Sequence, residues 1–205
     1  MTEAMNWAYC RQSYPNYWYE LLAWDGNPTV GNEARQVDKY TAAGQTWTVE
    51  RYIASVVFGM WLLRPNCVRE FRGHREPAAA NSMSFERLSK AVDTIYALGD
   101  YWKTGTLLTS GSPHPYRDAL PNGVSLNRWY ALSTDREPLQ PWKLTTALPV
   151  WILGIQLEGR PTLLYGFAPL GLEKNVEVEV PGVGRCRLPE VPVEGQYWYA
   201  ETFKV

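Results

Sequence analysis

The chain has 205 residues, of which 45% are hydrophobic and 20% charged, with 20 Lys and Arg against 21 Asp and Glu. A net charge of −1 gives no long-range attraction to nucleic acid or to an anionic membrane, and the apolar content is enough to build a sizeable core. The anomaly is aromatic, with 10 Trp and 13 Tyr; such side chains join a large apolar area to a polar handle and suit cores, interfaces and sugar-facing clefts alike.

Length alone suits one large domain or two small ones. The N-terminal Met-Thr-Glu-Ala-Met-Asn lacks the basic-then-apolar order of a signal peptide. The longest apolar stretch, residues 53–63, contains Ser55 and Gly59 and is too short to span a bilayer. The chain is therefore expected to be soluble, with no membrane partner, and its localisation is otherwise open. The 3 cysteines, Cys10, Cys67 and Cys186, are far apart and form no C-x-x-C pair, so a zinc finger is not expected and buried free thiols are.

Residues 1–46 show no clear period and are rich in rings. The stretch "SYPNYWYELLAWDG" carries Tyr14, Tyr17, Trp18, Tyr19 and Trp24 around Glu20 and Asp25. Two unpaired carboxylates are too costly to bury, so part of this stretch is expected to face a depression. Asp25-Gly26-Asn27-Pro28 predicts a turn. In "TWTVERYIASVVFGMWLL", Thr48 is the expected N-cap and Glu50 a first-turn acid. Val49, Tyr52, Ile53, Val56, Val57, Met60 and Trp61 then recur at helical spacing, and Pro65 should stop the helix. "CVREFRG" predicts a short strand. A second helix is expected to open at Ser82 or Ser84, to bury Phe85, Leu88, Val92 and Ile95, and to end at Gly99. Residues 104–123 read as loop.

From about residue 124 the period becomes two. "RWYALST", "TTALPVWILGIQL", "TLLYGFAP", "VEVEV", "GRCRL" and "QYWYAETFKV" are separated by Gly- and Pro-rich turns, which predicts antiparallel strands. Val176, Val178 and Val180 alternate with Glu177 and Glu179, one dry face and one wet. The predicted fold is α+β: a helical, aromatic-rich half over 1–123, packed on an antiparallel β-sandwich over 124–205.

Sugar hydrolysis uses two carboxyl groups, roughly 5 Å apart for retention or ~6.5–9.5 Å for inversion. Glu20, between Trp18, Tyr19 and Leu21, has the apolar setting of a general acid. Glu70, flanked by Arg69 and Arg72 in sequence, suits a nucleophile or stabiliser. The plain alternatives are a solvent-edge Glu20 and a Glu70 in a structural ion pair. Tyr17, Trp18 and Trp24 would supply stacking surface, with Asp25 as a polar partner. His114, in the Pro-rich loop "SPHPYRD", is a further substrate-binding candidate, against the reading of a partly exposed turn histidine. Arg64, Arg69, Arg72 and Arg75 cluster, but Glu70 and Glu76 lie among them, which argues for ion pairs over a nucleic-acid patch. G-x-G-x-x-G, Walker A, G-x-S-x-G and H-E-x-x-H motifs do not occur in the chain. No cofactor or metal is expected.

"SYPNYWYELLAWDGNP", followed by "ERYIASVVFGMWLLRPNCVREFRG", resembles the later strands and helices of glycoside-hydrolase-like (β/α)-barrel proteins of bacteria. "LLYGFAPLGLEKNVEVEVPGVGRCRLPEVPVEGQYWYAETF" looks like the small β-sandwich that follows such barrels. A full barrel takes about 250 residues, so the resemblance implies the C-terminal portion of such a protein or a shortened relative. It implies a carbohydrate-active protein that binds or hydrolyses glycans. The competing expectation is a non-catalytic assembly protein, a subunit of a complex or a homo-oligomer with its rings at an interface. An RNA-binding component using the arginine cluster ranks third.

Overall fold

The structure, a computed structural model, describes residues 18–21, 49–70, 78–108, 131–136 and 149–200. Its elements in chain order are β1 (Trp18–Leu21), α1 (Val49–Leu63), β2 (Cys67–Glu70), α2 (Ala78–Ala97), α3 (Gly99–Thr104), β3 (Thr106–Leu107), β4 (Trp151–Gln156), β5 (Leu163–Phe167), β6 (Glu173–Val180), β7 (Gly184–Val191) and β8 (Gln196–Tyr199). The fold is α+β, helices preceding most of the strands.

α1 stops where Pro65 predicts. Arg64 takes the left-handed conformation, φ 44°, and donates its backbone N–H to the Met60 carbonyl at 2.7 Å, a helix C-terminal arrangement that usually employs glycine. A non-glycine residue there costs roughly 1–2 kcal/mol. Set against that cost, the Arg64 guanidinium donates through Nη1 to the Gly105 carbonyl and lies 6.0 Å from the Trp61 ring centroid.

The helices differ from the expected pattern in four ways. Every residue of α1 from Val56 to Leu63 is buried, so the helix has no wet face over its second half: it packs against more than one partner. α2 begins at Ala78, before Ser82 and Ser84. Among its described side chains Leu88 and Ile95 are buried, with Ala91 and, just past the helix end, Leu98 partly buried, while Val92 is 40% exposed; the side chain of Phe85 lies outside the described residues. The apolar stripe thus runs 88, 91, 95, 98. Gly99 opens α3 instead of closing α2, and the Leu98 N–H is shared between the Thr94 and Ile95 carbonyls at 3.2 and 3.1 Å. Nor is 104–123 wholly loop, because β3 lies within it.

β1 and β2 pair in parallel, and α1 supplies the crossover that parallel neighbours need. The main sheet is antiparallel, ordered β3-β4-β5-β8. β4 and β5 are buried at every position except Gln156, and they read as near-continuous apolar runs because both faces are covered. Trp151, Leu153, Ile155, Leu163, Tyr165 and Phe167 join the α1 residues in one cluster. Ile152 and Leu164 join Val176, Val178, Val180, Cys186, Leu188 and Val191 of the β6–β7 hairpin in a second cluster. Within the main sheet, glycine at 166 lets β5 lie close against its partner β4, since a Cβ there would lie 2.9 Å from Ile152 Cγ1 and from the Trp151 carbonyl oxygen.

The segment 131–136 stitches the main sheet to the hairpin. Ala131 bridges to Leu153 and Thr134 to Val178. Asp135 donates its N–H to the Glu177 carbonyl at 3.0 Å and accepts the Glu177 N–H on Oδ1 at 2.9 Å. Elements from both sides of residue 123 share one sheet and one apolar cluster, since β3 pairs with β4 and α1 packs on β5. The expected buried state of the thiols holds for Cys186 but not for Cys67, which is exposed near the start of the short strand β2; Cys10 lies outside the described residues.

Candidate functional site

α1, α2, β5, β8 and the turn before β8 enclose a cleft of about 380 Å³. α1 contributes Glu50, Ile53 and Val57, spaced three and four residues apart so that they share a face. α2 contributes Lys90, Ala91 and Thr94 by the same spacing. Tyr165 comes from β5, Glu194 and Gly195 from the turn, and Tyr197 from β8. Ile53, Val57 and the two phenol rings are apolar surface; Glu50, Lys90 and Glu194 are charged.

The phenols are held from behind. Tyr165 Oη donates to the Ala54 carbonyl at 3.3 Å. Trp61 Nε1–H donates to Tyr197 Oη at 2.8 Å. The two tyrosine rings lie 4.7 Å apart between centroids, tilted by 47°. Burial raises the Tyr165 phenol well above its ordinary value, and the neighbouring Tyr197 adds to that. Tyr197 is raised too, by burial first, with the Trp61 hydrogen bond acting against it. Both phenols are therefore neutral at ordinary pH.

The turn itself is set by packing. Gly195 has φ +82°, a left-handed conformation that side chains with a Cβ rarely adopt. A Cβ at 195 would lie 2.9 Å from Tyr165 Cζ and closer still to its Oη. The turn backbone thus rests on the Tyr165 phenol, and Glu194, one residue earlier, is delivered to the cleft mouth.

Behind the cleft, the aromatic content of the described residues is largely core. Phe58 meets Trp151 and Phe167 edge-on, at centroid distances of 5.9 and 5.7 Å. Trp61 meets Trp102 at 5.2 Å and Tyr197 at 6.3 Å, again edge-on. Such pairs add about 0.5–1.5 kcal/mol each to the burial of the rings.

Of the residues singled out from sequence, Trp18 and Glu20 lie on β1 and Glu70 on β2. Their strands pair side by side, with Glu20 opposite Arg69 and Glu70 opposite Leu21. Tyr17, Trp24, Asp25 and His114 lie outside the described residues. By sequence Glu50 is expected as a first-turn acid, and Glu194 and Gly195 fall in one of the turns that separate the predicted strands. The available signal was "VEGQYWY", an acid and a glycine placed directly before an aromatic strand. Among the described residues no cluster of three or more His, Cys, Asp or Glu is arranged to hold a metal, and no helix is long and apolar enough to cross a membrane. Compared with family models, with curated proteins and with solved structures, the chain matches none of them.

Proposed function

We propose that this protein is carbohydrate-active and binds a glycan in the cleft between α1, α2 and the β8 turn. The observation that carries the reading is the meeting of charged side chains, Glu50, Lys90 and Glu194, with the phenols of Tyr165 and Tyr197 around one concavity. Sugar rings combine an apolar face with a polar edge, and a largely apolar cleft with a few placed polar groups matches that chemistry. For turnover the reading keeps the sequence candidates Glu20 and Glu70, which stand one register step apart on the paired strands, Glu20 level with Arg69 and Glu70 with Leu21, and so at positions of opposite face. It also takes the main sheet and the β6–β7 hairpin as the two leaves of a small sandwich, on the support of their shared apolar cluster.

Tryptophan emission tests the binding step, because Trp61 is hydrogen-bonded to a cleft residue. Titration with a panel of oligosaccharides is expected to give a saturable shift, and Ala91→Leu, which fills the cleft, to abolish it. A shift that survives Ala91→Leu would place the ligand elsewhere, and no shift with any saccharide would remove the glycan reading. Glu20→Gln and Glu70→Gln are each expected to lower hydrolysis by about 10² or more, the usual contribution of acid–base catalysis. Unchanged hydrolysis in both would withdraw those assignments.

One observation favours the second reading, an assembly protein. On α2, Val92 and Tyr96 stand one helical turn apart, 40% and 86% exposed. If the rings serve an interface, light scattering gives a mass several times that of the chain and Tyr96→Ser reduces it.

A further inference from the structure

Thr94, Tyr165 and Tyr197 bring three hydroxyl groups to the cleft lining, and two of them have already given up their hydrogen. Thr94 Oγ1 donates to the Lys90 carbonyl at 2.9 Å, and Tyr165 Oη to the Ala54 carbonyl at 3.3 Å. Tyr197 differs. Its Oη accepts the Trp61 Nε1–H at 2.8 Å, and its own hydrogen has no acceptor among the described residues. A phenol carries one donor hydrogen, so with Trp61 on a lone pair the group is left as a donor. Accepting one hydrogen bond polarises the O–H and strengthens the bond that it can give. Burial keeps this phenol protonated, so the donor persists across ordinary pH. A donor shielded from water and left unused costs free energy, which a ligand oxygen recovers.

The rest of the lining narrows the group to which that oxygen belongs. Glu50 and Lys90 are engaged in interactions within the protein. Ile53, Val57 and Ala91 form an apolar wall on the two helices. A sugar hydroxyl presented to Tyr197 brings a hydrogen of its own, which this wall cannot accept. An acetamido group brings a carbonyl oxygen, which only accepts, and a methyl group, which gains by leaving water.

Resting on the glycan reading, we propose that the ligand is an N-acetylated glycan and that Tyr197, steadied by Trp61, is the residue that reads its acetamido carbonyl.

The test is calorimetric titration with three β-1,4 tetrasaccharides: the fully N-acetylated tetramer of glucosamine, its N-thioacetyl analogue and cellotetraose. The acetylated tetramer is expected to bind about tenfold tighter than cellotetraose, from one hydrogen bond and one buried methyl group. Tyr197→Phe should weaken the acetylated tetramer by about fivefold, as for loss of one hydrogen bond, and leave cellotetraose unchanged. The thioacetyl tetramer keeps the methyl group but offers sulfur, a weak acceptor, and should bind the unaltered protein about fivefold less tightly than the acetylated one. Should Tyr197→Phe lose both the acetylated tetramer and cellotetraose, the thioacetyl comparison in the unaltered protein decides the assignment by itself. Cellotetraose binding as tightly as the acetylated tetramer, a preference that survives Tyr197→Phe, or a thioacetyl tetramer as tight as the acetylated one overturns the assignment while the glycan reading stands. Failure of all three to bind removes the glycan reading, and the acetamido assignment with it.

Discussion

A methyl group at position 195 has nowhere to go. The backbone there is left-handed at φ +82°, and the buried ring of Tyr165 occupies the space a Cβ needs. Gly195→Ala is therefore expected to cost about 1–3 kcal/mol through combined strain and clash; an unchanged urea midpoint would contradict this. The same tyrosine makes stability sensitive to alkali. Burial holds the Tyr165 and Tyr197 phenols above their ordinary values. Below the unfolded-state pKa of about 10, folded and unfolded chains both keep these protons, and pH gains no leverage from them. Above about pH 10 the unfolded chain releases protons that the folded chain retains, so stability falls as pH rises. Urea midpoints at pH 8, 10 and 11 should decline over the upper interval, and decline less in Tyr165→Phe. Equal slopes in the two proteins would show that this phenol is not the source.

At the scale of elements, the β6–β7 hairpin separates two kinds of stabilisation. Its outer face pairs opposite charges across the strands: Arg187 with Glu177 at 2.8 Å, Arg185 with Glu177 at 3.5 Å, and Lys174 with Glu190 at 3.4 Å. These pairs are exposed, and such contacts are worth about 0.2–1 kcal/mol. Its inner face buries Val176, Val178 and Val180 completely, at about 1.5–3 kcal/mol for each side chain removed from water. Burial dominates. Glu177→Ala is expected to shift stability by no more than about 1 kcal/mol, whereas Val178→Asp should prevent the hairpin from docking, because it buries an unpaired charge. Thermal melts of the two variants would reverse this ranking only if the ion pairs carried the hairpin. The alternation of Val and Glu made this element readable without coordinates. α2 was less readable: Val92 and Ala91 are adjacent, both compatible with a helical stripe, and the neighbouring helix and sheet, not spacing, select Ala91.

At the scale of the molecule, the helices and the main sheet are not separate units. One cluster takes in Ile53 to Leu63 of α1, Leu88 and Ile95 of α2, and the inward residues of β4 and β5. Phe58 sits within it, 0% exposed, between Trp151 and Phe167. Helix and sheet signals should accordingly be lost together. Far-UV circular dichroism and tryptophan fluorescence are expected to give superimposable urea transitions. Phe58→Ala should move both transitions by the same amount, about 3–5 kcal/mol; transitions that separate would show that the halves are held independently.

The sequence by itself determined the α+β class, the existence of α1 and its stop before Pro65, the four strands β4 to β7 with their turns, and the dry and wet faces of β6. Each of these follows from local chemistry: side-chain period, the missing proline N–H, or the conformational freedom of glycine. Only the tertiary structure decided that α1 is buried on all sides over its second half, that β4 is covered on both faces, and that Glu50, Lys90, Glu194 and Tyr197 meet. Glu50, Lys90 and the Glu194–Tyr197 segment are separated from one another by 40 to more than 100 positions in the chain. Their meeting depends on the packing of a helix pair against a strand edge and on one glycine resting on one phenol, a condition that no periodicity in the sequence records.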